Sequence, residues 1–178
     1  MGIEAKLTLK DFQDLEAIDH AVGFSSITPA DVCFEQYKRF PQFICVIRDG
    51  EKVIGYINTL ALKPEIFHKF REAEIEENDI TLDDIDYETQ PVHLLFQSIA
   101  IHPKHQNMRN AKRLFEIFFQ HTKQMVENGM QVAEFIAECS TNKGVAMATR
   151  YWKMKPYKKT KYGQIYTLDG KSFMEKLR

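Results

Sequence analysis

Cysteine is scarce in this chain and follows no pattern. Cys33, Cys45 and Cys139 are odd in number, widely spaced and without a Cys-x-x-Cys pair. A disulfide framework needs paired thiols, so this usage points to reduced cysteines and a cytoplasmic protein. No apolar run approaches the roughly 20 residues that a membrane-spanning helix needs. Met1-Gly2-Ile3-Glu4 has neither the make-up of a secretory signal nor a myristoylation pattern, because Lys6 stands where Ser or Thr is required. An excess of charge is missing too: 24 Lys and Arg against 25 Asp and Glu leave a formal net charge of −1. No global field therefore favours nucleic acid or a membrane surface, and local patches carry the electrostatics. What remains, 44% hydrophobic and 28% charged over 178 residues, is an ordinary globular composition. It is long enough to bury a full core, so residues 1–178 are read as a single domain.

The most informative stretch is Leu94-Leu95-Phe96-Gln97-Ser98-Ile99-Ala100-Ile101. It is too short and too apolar for a surface helix and reads as a strand buried on both faces. Pro103, which has no N–H to give a ladder, ends it. From Ala111 onward Leu114, Phe115, Phe118, Thr122, Met125 and Val126 recur at helical spacing. They predict a long amphipathic helix beginning near Lys112 and capped at Asn128-Gly129. Between Lys104 and Arg113 the chain carries four formal positive charges and no acid. A strand, a basic turn and a helix N-terminus, with its free N–H groups and positive dipole end, form an anion site suited to phosphate.

Around this stretch, Ala5–Leu9 reads as a short strand and Lys10–Ala21 as a helix with Phe12, Leu15, Ile18 and Val22 on one face. Thr28-Pro29 is an N-cap followed by proline at the first helical position, opening a second helix to about Phe40, which Pro41 closes. Phe43–Arg48, the Asp49-Gly50 turn and Lys52–Leu62 form a hairpin. Residues 64–90 follow as an insert with ten acids against two bases. Within it Glu65–Phe70 suggests a helix, and Thr81-x-x-Asp84 the start of a shorter one. After Gly129, Val132–Ala137 is a second buried strand, which a right-handed crossover places parallel to the first. Asn142–Lys153 reads as a helix, Lys158–Lys161 and Gln164–Leu168 as two strands, and Ser172–Leu177 as a final helical turn or two.

His102-Pro103-x-x-Gln106-x-x-Arg109-x-Ala111-x-x-Leu114 resembles the acetyl-CoA pyrophosphate loop of the GCN5-related N-acetyltransferases (GNAT superfamily). That pattern runs Gln/Arg-x-x-Gly-x-Gly/Ala. Gln106 and Ala111 match its ends, while Arg109 stands where the middle glycine lets a backbone approach phosphate. A guanidinium can compensate by binding phosphate oxygens itself. The order of elements extends the resemblance over nearly the whole chain. It implies an α/β fold: a mixed, mainly antiparallel sheet with a splayed parallel strand pair and flanking helices, plus the acidic helical insert. It also implies that the pantetheine of acetyl-CoA lies in the gap of that pair like an added strand, its carbonyl polarised by backbone N–H groups at Ile99, Ala100 and Ile101. Gln106, Asn107, Met108, Arg109, Asn110, Ala111 and Lys112 would hold the pyrophosphate, and Asn142 would contribute from the next helix, where it is equally a plain N-cap.

The resemblance implies transfer of an acetyl group to a primary amine by direct attack in a ternary complex. Tyr151 keeps the spacing of the family's general acid, although Lys155-Pro156 replaces the Gly-Phe that follows it there. A phenol near pKa ~10 can protonate a departing thiolate. The plainer reading is a tyrosine half-buried on an amphipathic helix, beside Trp152 in the core. Family members with a base on the central strand carry Glu or His at the positions of Leu95 or Gln97, and neither residue here takes a proton at neutral pH. His93, on the same strand parity, is the candidate, with Asp86 and Glu88 nearby; a structural strand-edge histidine is the alternative. His102 and His105 have no third ligand and give no metal site. The acidic insert is either a solvated excursion or an acceptor-side wall that concentrates a cationic amine. The stretch from Arg150 to Arg178, with nine bases and two acids, either meets the cofactor's phosphates or balances that insert. The hairpin and insert edge are candidate dimer surfaces. A GNAT-fold module that binds acyl-CoA or a protein without catalysis is the rival reading. Nucleic-acid binding is weaker still, lacking a helix-turn-helix or interleaved aromatics.

Overall fold

The computed structural model describes residues 6–24 and 26–177. Its strands hydrogen-bond in the order β1-β2-β3-β4-β6-β5: β1 Ile44–Asp49, β2 Lys52–Leu62, β3 Val92–Ile101, β4 Val132–Cys139, β5 Lys155–Lys159 and β6 Gln164–Asp169. Three of the pairings, β1–β2, β4–β6 and β5–β6, are antiparallel, and β3–β4 is parallel. By contact density the chain forms two compact units, Met1–Asn58 with Ser98–His121 and Thr59–Gln97 with Thr122–Arg178.

In the first unit, helix α1 spans Leu9–Val22 and buries Phe12, Leu15 and Ile18. The strand expected over Ala5–Leu9 is not found: Ala5 lies outside the described residues, Lys6–Thr8 is coil, and Leu9 already belongs to α1. The cause is local. The Asp11 carboxylate accepts both the Thr8 N–H at 2.8 Å and the Thr8 hydroxyl at 2.9 Å, a capping box that starts the helix early. Helix α2, Ala30–Arg39, has Pro29 rather than Thr28 at its N-cap, and the Ala30 N–H is satisfied instead by the Glu16 carboxylate at 2.9 Å. Phe12 meets Phe34 and Tyr37 at ring distances of 5.6 and 5.5 Å, joining the two helices. The hairpin forms as expected, with Gly50 at φ 60° in its turn.

In the second unit, the insert opens with α3, Pro64–Arg71, followed by single 3₁₀ turns at Glu77–Asp79 and Leu82–Asp84. It is sewn to β2: the Asp86 N–H donates to the Ala61 carbonyl at 2.8 Å, the Lys63 N–H to that of Asp84 at 2.9 Å, and the Tyr87 hydroxyl to that of Thr59 at 2.7 Å. Strands β3 and β4 pair from Val92↔Val132 to Phe96↔Ala137. The β3 burial is less even than an apolar run suggests: Leu94, Leu95, Phe96 and Ala100 are buried, while Gln97, Ser98, Ile99 and Ile101 are partly open.

The crossover helix α4, Met108–Glu127, starts four residues before the expected Lys112. It stops at Gly129, whose φ of 105° lets the Gly129 and Met130 N–H groups return to Val126 and Met125. The helix expected over Asn142–Lys153 is shorter and broken in character. Helix α5, Asn142–Ala146, runs into a π-helical turn, Met147–Tyr151, closed by the Trp152 N–H on the Met147 carbonyl at 3.0 Å. The earlier strand of the last pair, expected over Lys158–Lys161, lies at Lys155–Lys159, leaving Thr160–Gly163 as the turn, and the last helix, α6, is Gly170–Lys176.

An aromatic cluster holds this end of the chain. Phe135 of β4 lies 5.1 Å from Trp152 and 4.7 Å from Phe173 of α6, and Trp152 stacks on Phe173 at 5.9 Å. Phe135, Trp152 and Phe173 are all at most 1% exposed. Phe173→Ala opens a cavity among them and lowers unfolding stability by about 3–5 kcal/mol. Urea unfolding reads this as a fall in midpoint at unchanged slope; an unchanged midpoint would show that the cluster is not a structural anchor.

Candidate functional site

The end of β3 and the start of α4 are shaped by main-chain bonding. Within the first unit the His102 N–H donates to the Ile54 carbonyl at 2.9 Å, and the Gln106 amide to the Ile101 carbonyl at 2.9 Å. Gly55 of β2 admits this close approach: a Cβ there would lie 3.0 Å from the Ala100 carbonyl oxygen. Pro103–His105 is a 3₁₀ turn whose Lys104 N–H is accepted by His102 Nδ1 at 3.2 Å, so His102 closes a turn. Asn107 then explains the early start of α4. Its Oδ1 accepts the Asn110 N–H at 2.9 Å, its carbonyl accepts the Ala111 N–H at 3.1 Å, and the Asn110 side chain ties back to the His105 carbonyl at 2.8 Å. Arg109, Asn110 and Ala111 are therefore first-turn helix residues rather than loop. The side chains of Met108, 85% exposed, and of Arg109 and Lys112 reach solvent, with Lys112 at 3.7 Å from Glu116. Helix geometry leaves the Met108 and Arg109 N–H groups ahead of the first intrahelical bond, at the positive end of the dipole and beside Lys104 and Arg109. This donor set fits a phosphate.

His93, Asn142 and Tyr151 belong to the second unit. His93 sits at the start of β3 opposite Glu134, with its ring 4.7 Å from Phe67. Burial lowers its pKa, with Glu134 opposing and Arg71 adding to that shift, and its Nδ1 is buried without a hydrogen-bond partner among the described residues. Its neighbour Glu134 is engaged by Arg71 at 2.9 Å. Thr141, not Asn142, caps α5, its hydroxyl accepting the Gly144 N–H at 3.1 Å; Asn142 is exposed in the first turn. Tyr151 is 49% exposed, the half-burial of the plainer reading. The π turn inserts one residue into the helical register, so Trp152 enters the core while Tyr151, at a ring distance of 5.8 Å, turns to the surface. Asp86 is committed to a turn: hydrogen bonds from the Thr89 side chain, from the Thr89 N–H at 3.0 Å and from the Glu88 N–H at 2.9 Å hold its pKa down.

The acidic insert and the basic C-terminal stretch meet each other. Glu72 accepts the Tyr157 hydroxyl at 2.5 Å and Lys158 Nζ at 3.3 Å, while Glu76 accepts the Tyr162 hydroxyl at 2.9 Å and Lys161 Nζ at 3.2 Å. Arg71 lies over the Tyr157 ring at 5.2 Å. Of the two readings of the basic stretch, the structure supports balance of the insert by Lys158 and Lys161. Sequence reasoning missed the next residue. Glu77 Oε1 accepts Gln97 Nε2 at 2.9 Å, and Glu138, which accepts the Thr160 hydroxyl, is the second carboxylate close enough to act on it. Burial pushes the Glu77 pKa up, the Gln97 hydrogen bond opposes this, and the Glu138 charge adds to it. Only the density of acids in the insert signalled Glu77; its contact with a strand residue 20 positions away carries no local signature.

No family model matches the sequence, and no curated protein matches it. Solved structures do. The loading GNATL domain of CurA from Lyngbya majuscula superposes with a TM-score of 0.61 at 13% identity, covering 93% of this chain and 96% of that one. Chaetomium thermophilum Naa20, in complex with a bisubstrate analogue, gives 0.58 at 13% identity over 95% and 87%. The putative acetyltransferase yncA from Salmonella typhimurium, with its cofactor acetyl-CoA, gives 0.56 at 14% identity over 92% and 90%. The chain has the fold of the GNAT superfamily.

The clasp between the insert and the β5–β6 hairpin makes a pH prediction. Hydrogen bonds from Tyr157 and Tyr162, then from Lys158 and Lys161, hold the folded pKa values of Glu72 and Glu76 below the ordinary 4.5. Depressed carboxylates stabilise the fold above their unfolded pKa and lose that contribution as pH falls through the folded value. Glu72→Gln should therefore lower the melting temperature at neutral pH, and the deficit should close on acidification below about 4.5. A deficit that stays constant down to acid pH would contradict the charge-assisted clasp.

Proposed function

We propose that the chain is an acetyl-CoA-dependent N-acetyltransferase acting on a primary amine by direct attack in a ternary complex. One observation carries this reading: β3 runs past its last pair with β4, at Phe96↔Ala137, into a turn and helix start bearing Lys104, Arg109, Lys112 and Arg113 without an acid. Residues beyond the last pair can take an added extended segment such as pantetheine, so the N–H groups of Ile99–Ile101 are assigned to the thioester carbonyl. The Met108 and Arg109 N–H groups, with the side chains of Gln106, Arg109 and Lys112, are assigned to the pyrophosphate. Asn107, Asn110 and Ala111 shape that turn, and Asn142 offers a further amide from α5. Acetyl-CoA supplies the activated acetyl group; the protein orients it, polarises its carbonyl and manages protons. Tyr151, exposed at the end of the π turn, is assigned as the acid that protonates the thiolate.

The acceptor is read as a cationic amine, on a small molecule or a protein. Because Glu72 and Glu76 are taken up by Lys158, Lys161 and two tyrosines, acceptor selection is assigned to the carboxylates further in, Glu77 and Glu138. The rival, a module that binds acyl-CoA without transferring, draws on Asn107: by capping α4 it occupies the Asn110 N–H that a phosphate would otherwise use.

Calorimetry with acetyl-CoA should give micromolar binding, weakened roughly tenfold by Arg109→Ala, since a charge-assisted contact contributes about 1.5–3 kcal/mol. Absence of heat and of any shift in melting temperature would remove the acetyl-CoA assignment. Tyr151→Phe should leave that affinity in place while turnover against a reactive amine falls roughly a hundredfold. Full turnover across pH in this variant would remove the acid assignment, and binding without transfer to any amine would favour the rival.

A further inference from the structure

The amine must lose a proton during the transfer, and β3 offers no side chain at Leu95 or Gln97 that can take it. The insert brings one to the same strand. Glu76 and Glu77 are adjacent, but their side chains part company. Glu76 is held by Lys161 and Tyr162, whereas Glu77 Oε1 accepts Gln97 Nε2 at 2.9 Å. Gln97 is the first residue of β3 beyond the last β3–β4 pair, and Glu138 is the first of β4 beyond it. A carboxylate from the insert is thus fixed at the point where the parallel pair ends. Ile99, whose N–H is assigned to the thioester, follows two residues later on the same strand.

We propose that Glu77 is the general base of this N-acetyl transfer, with Gln97 as its positioning residue; the proposal rests on the acetyltransferase reading above. The ammonium form of the acceptor gives one proton to the Glu77 carboxylate. The freed lone pair forms the C–N bond as the thioester C–S bond breaks, and the sulfur leaves with the bonding pair. The sulfur takes a proton from Tyr151, which regains one from the nitrogen as the amide forms, and Glu77 returns its proton to water. Ammonium and thioester become amide, thiol and a released proton. The base must prefer this task over staying ionised. Burial and the facing Glu138 charge both raise the Glu77 pKa above the ordinary glutamate range, bringing it nearer that of an ammonium. Gln97 can orient the carboxylate but cannot protonate it. Lys161, in the turn between β5 and β6, pairs with Glu76 at 3.2 Å. His93 lies four residues earlier on β3, against Phe67.

The test compares Glu77→Gln with Glu74→Gln, an exposed acid of the same insert, using thiol release against a primary amine that the wild type acetylates. Melting curves and acetyl-CoA calorimetry confirm that each variant folds and binds. Glu77→Gln keeps an oxygen for Gln97 and should lose roughly a hundredfold in kcat/KM at neutral pH. Its rate should then climb about tenfold per pH unit towards the acceptor's own pKa, and the loss should shrink for a weakly basic amine that is already neutral. Glu74→Gln should stay within about twofold, since surface charges act weakly. Wild-type turnover and pH profile in Glu77→Gln, or an equal loss in Glu74→Gln, would overturn the base assignment while the acetyltransferase reading stands. A wild type that binds acetyl-CoA yet acetylates no amine would overturn both.

Discussion

The parallel pairing of β3 with β4 is the constraint from which the rest follows. Two parallel neighbours cannot be joined by a tight turn; the chain must leave the end of one strand and return to the beginning of the next, and a helix is the economical way to do so. That requirement puts the N-terminus of α4, with its unsatisfied N–H groups, directly after the carboxyl end of β3. In sheets built this way the carboxyl ends of parallel strands are where ligands bind. Pro103, the 3₁₀ turn and Asn107 make the change from strand to helix within six residues, and the basic side chains of Lys104–Arg113 add charge of the sign that the helix dipole already favours. Backbone geometry and side-chain charge therefore reinforce each other.

The same pairing sets the chemistry at its end. Where the β3–β4 register stops, Gln97 and Glu138 are the first side chains beyond it, and each has a partner from elsewhere in the second unit: Glu77 for Gln97, Thr160 for Glu138. Those partners are held there by the clasp of Glu72 and Glu76 with Tyr157, Lys158, Lys161 and Tyr162. A run of acids that looks like a solvated surface thus has a division of labour. Its outer members balance the basic β5–β6 hairpin, and an inner one reaches β3. Exposed pairs of this kind contribute little singly, and the clasp works because aromatic hydroxyls, a cation–π contact and two ion pairs act on one segment.

Much of this was legible in the sequence. The β1–β2 hairpin, the insert, the long helix to Gly129 and the apolar strand pair each rest on local periodicity and turn residues, and local patterns were enough. Boundaries set by a single capping side chain were not. Thr8 and Asp11 turn an apparent strand into the start of α1, and Asn107 draws four supposed loop residues, Met108–Ala111, into α4. Pro29 and Thr141 each take a cap one residue away from the expected one, because the deciding hydrogen bonds come from Glu16 and Gly144. The π turn before Trp152 has no periodic signal, since it answers to the burial of one large ring. Glu77 was invisible for a different reason: its role depends on a contact with Gln97 across the fold, and a sequence rich in acids does not say which of ten is turned inward.

The proposed role of the main-chain groups at the end of β3 and the start of α4 is to hold an acyl-CoA. Backbone amide NMR of the intact chain, titrated with coenzyme A, addresses it residue by residue. If they do, the largest shifts fall at Ile99–Ile101 and at His105–Ala111, with smaller ones near Asn142 and Tyr151. Saturable shifts confined elsewhere, for example around the cavity of about 300 Å³ lined by Leu7, Tyr37, Ile44 and His121, would contradict it. So would a spectrum that coenzyme A leaves unchanged.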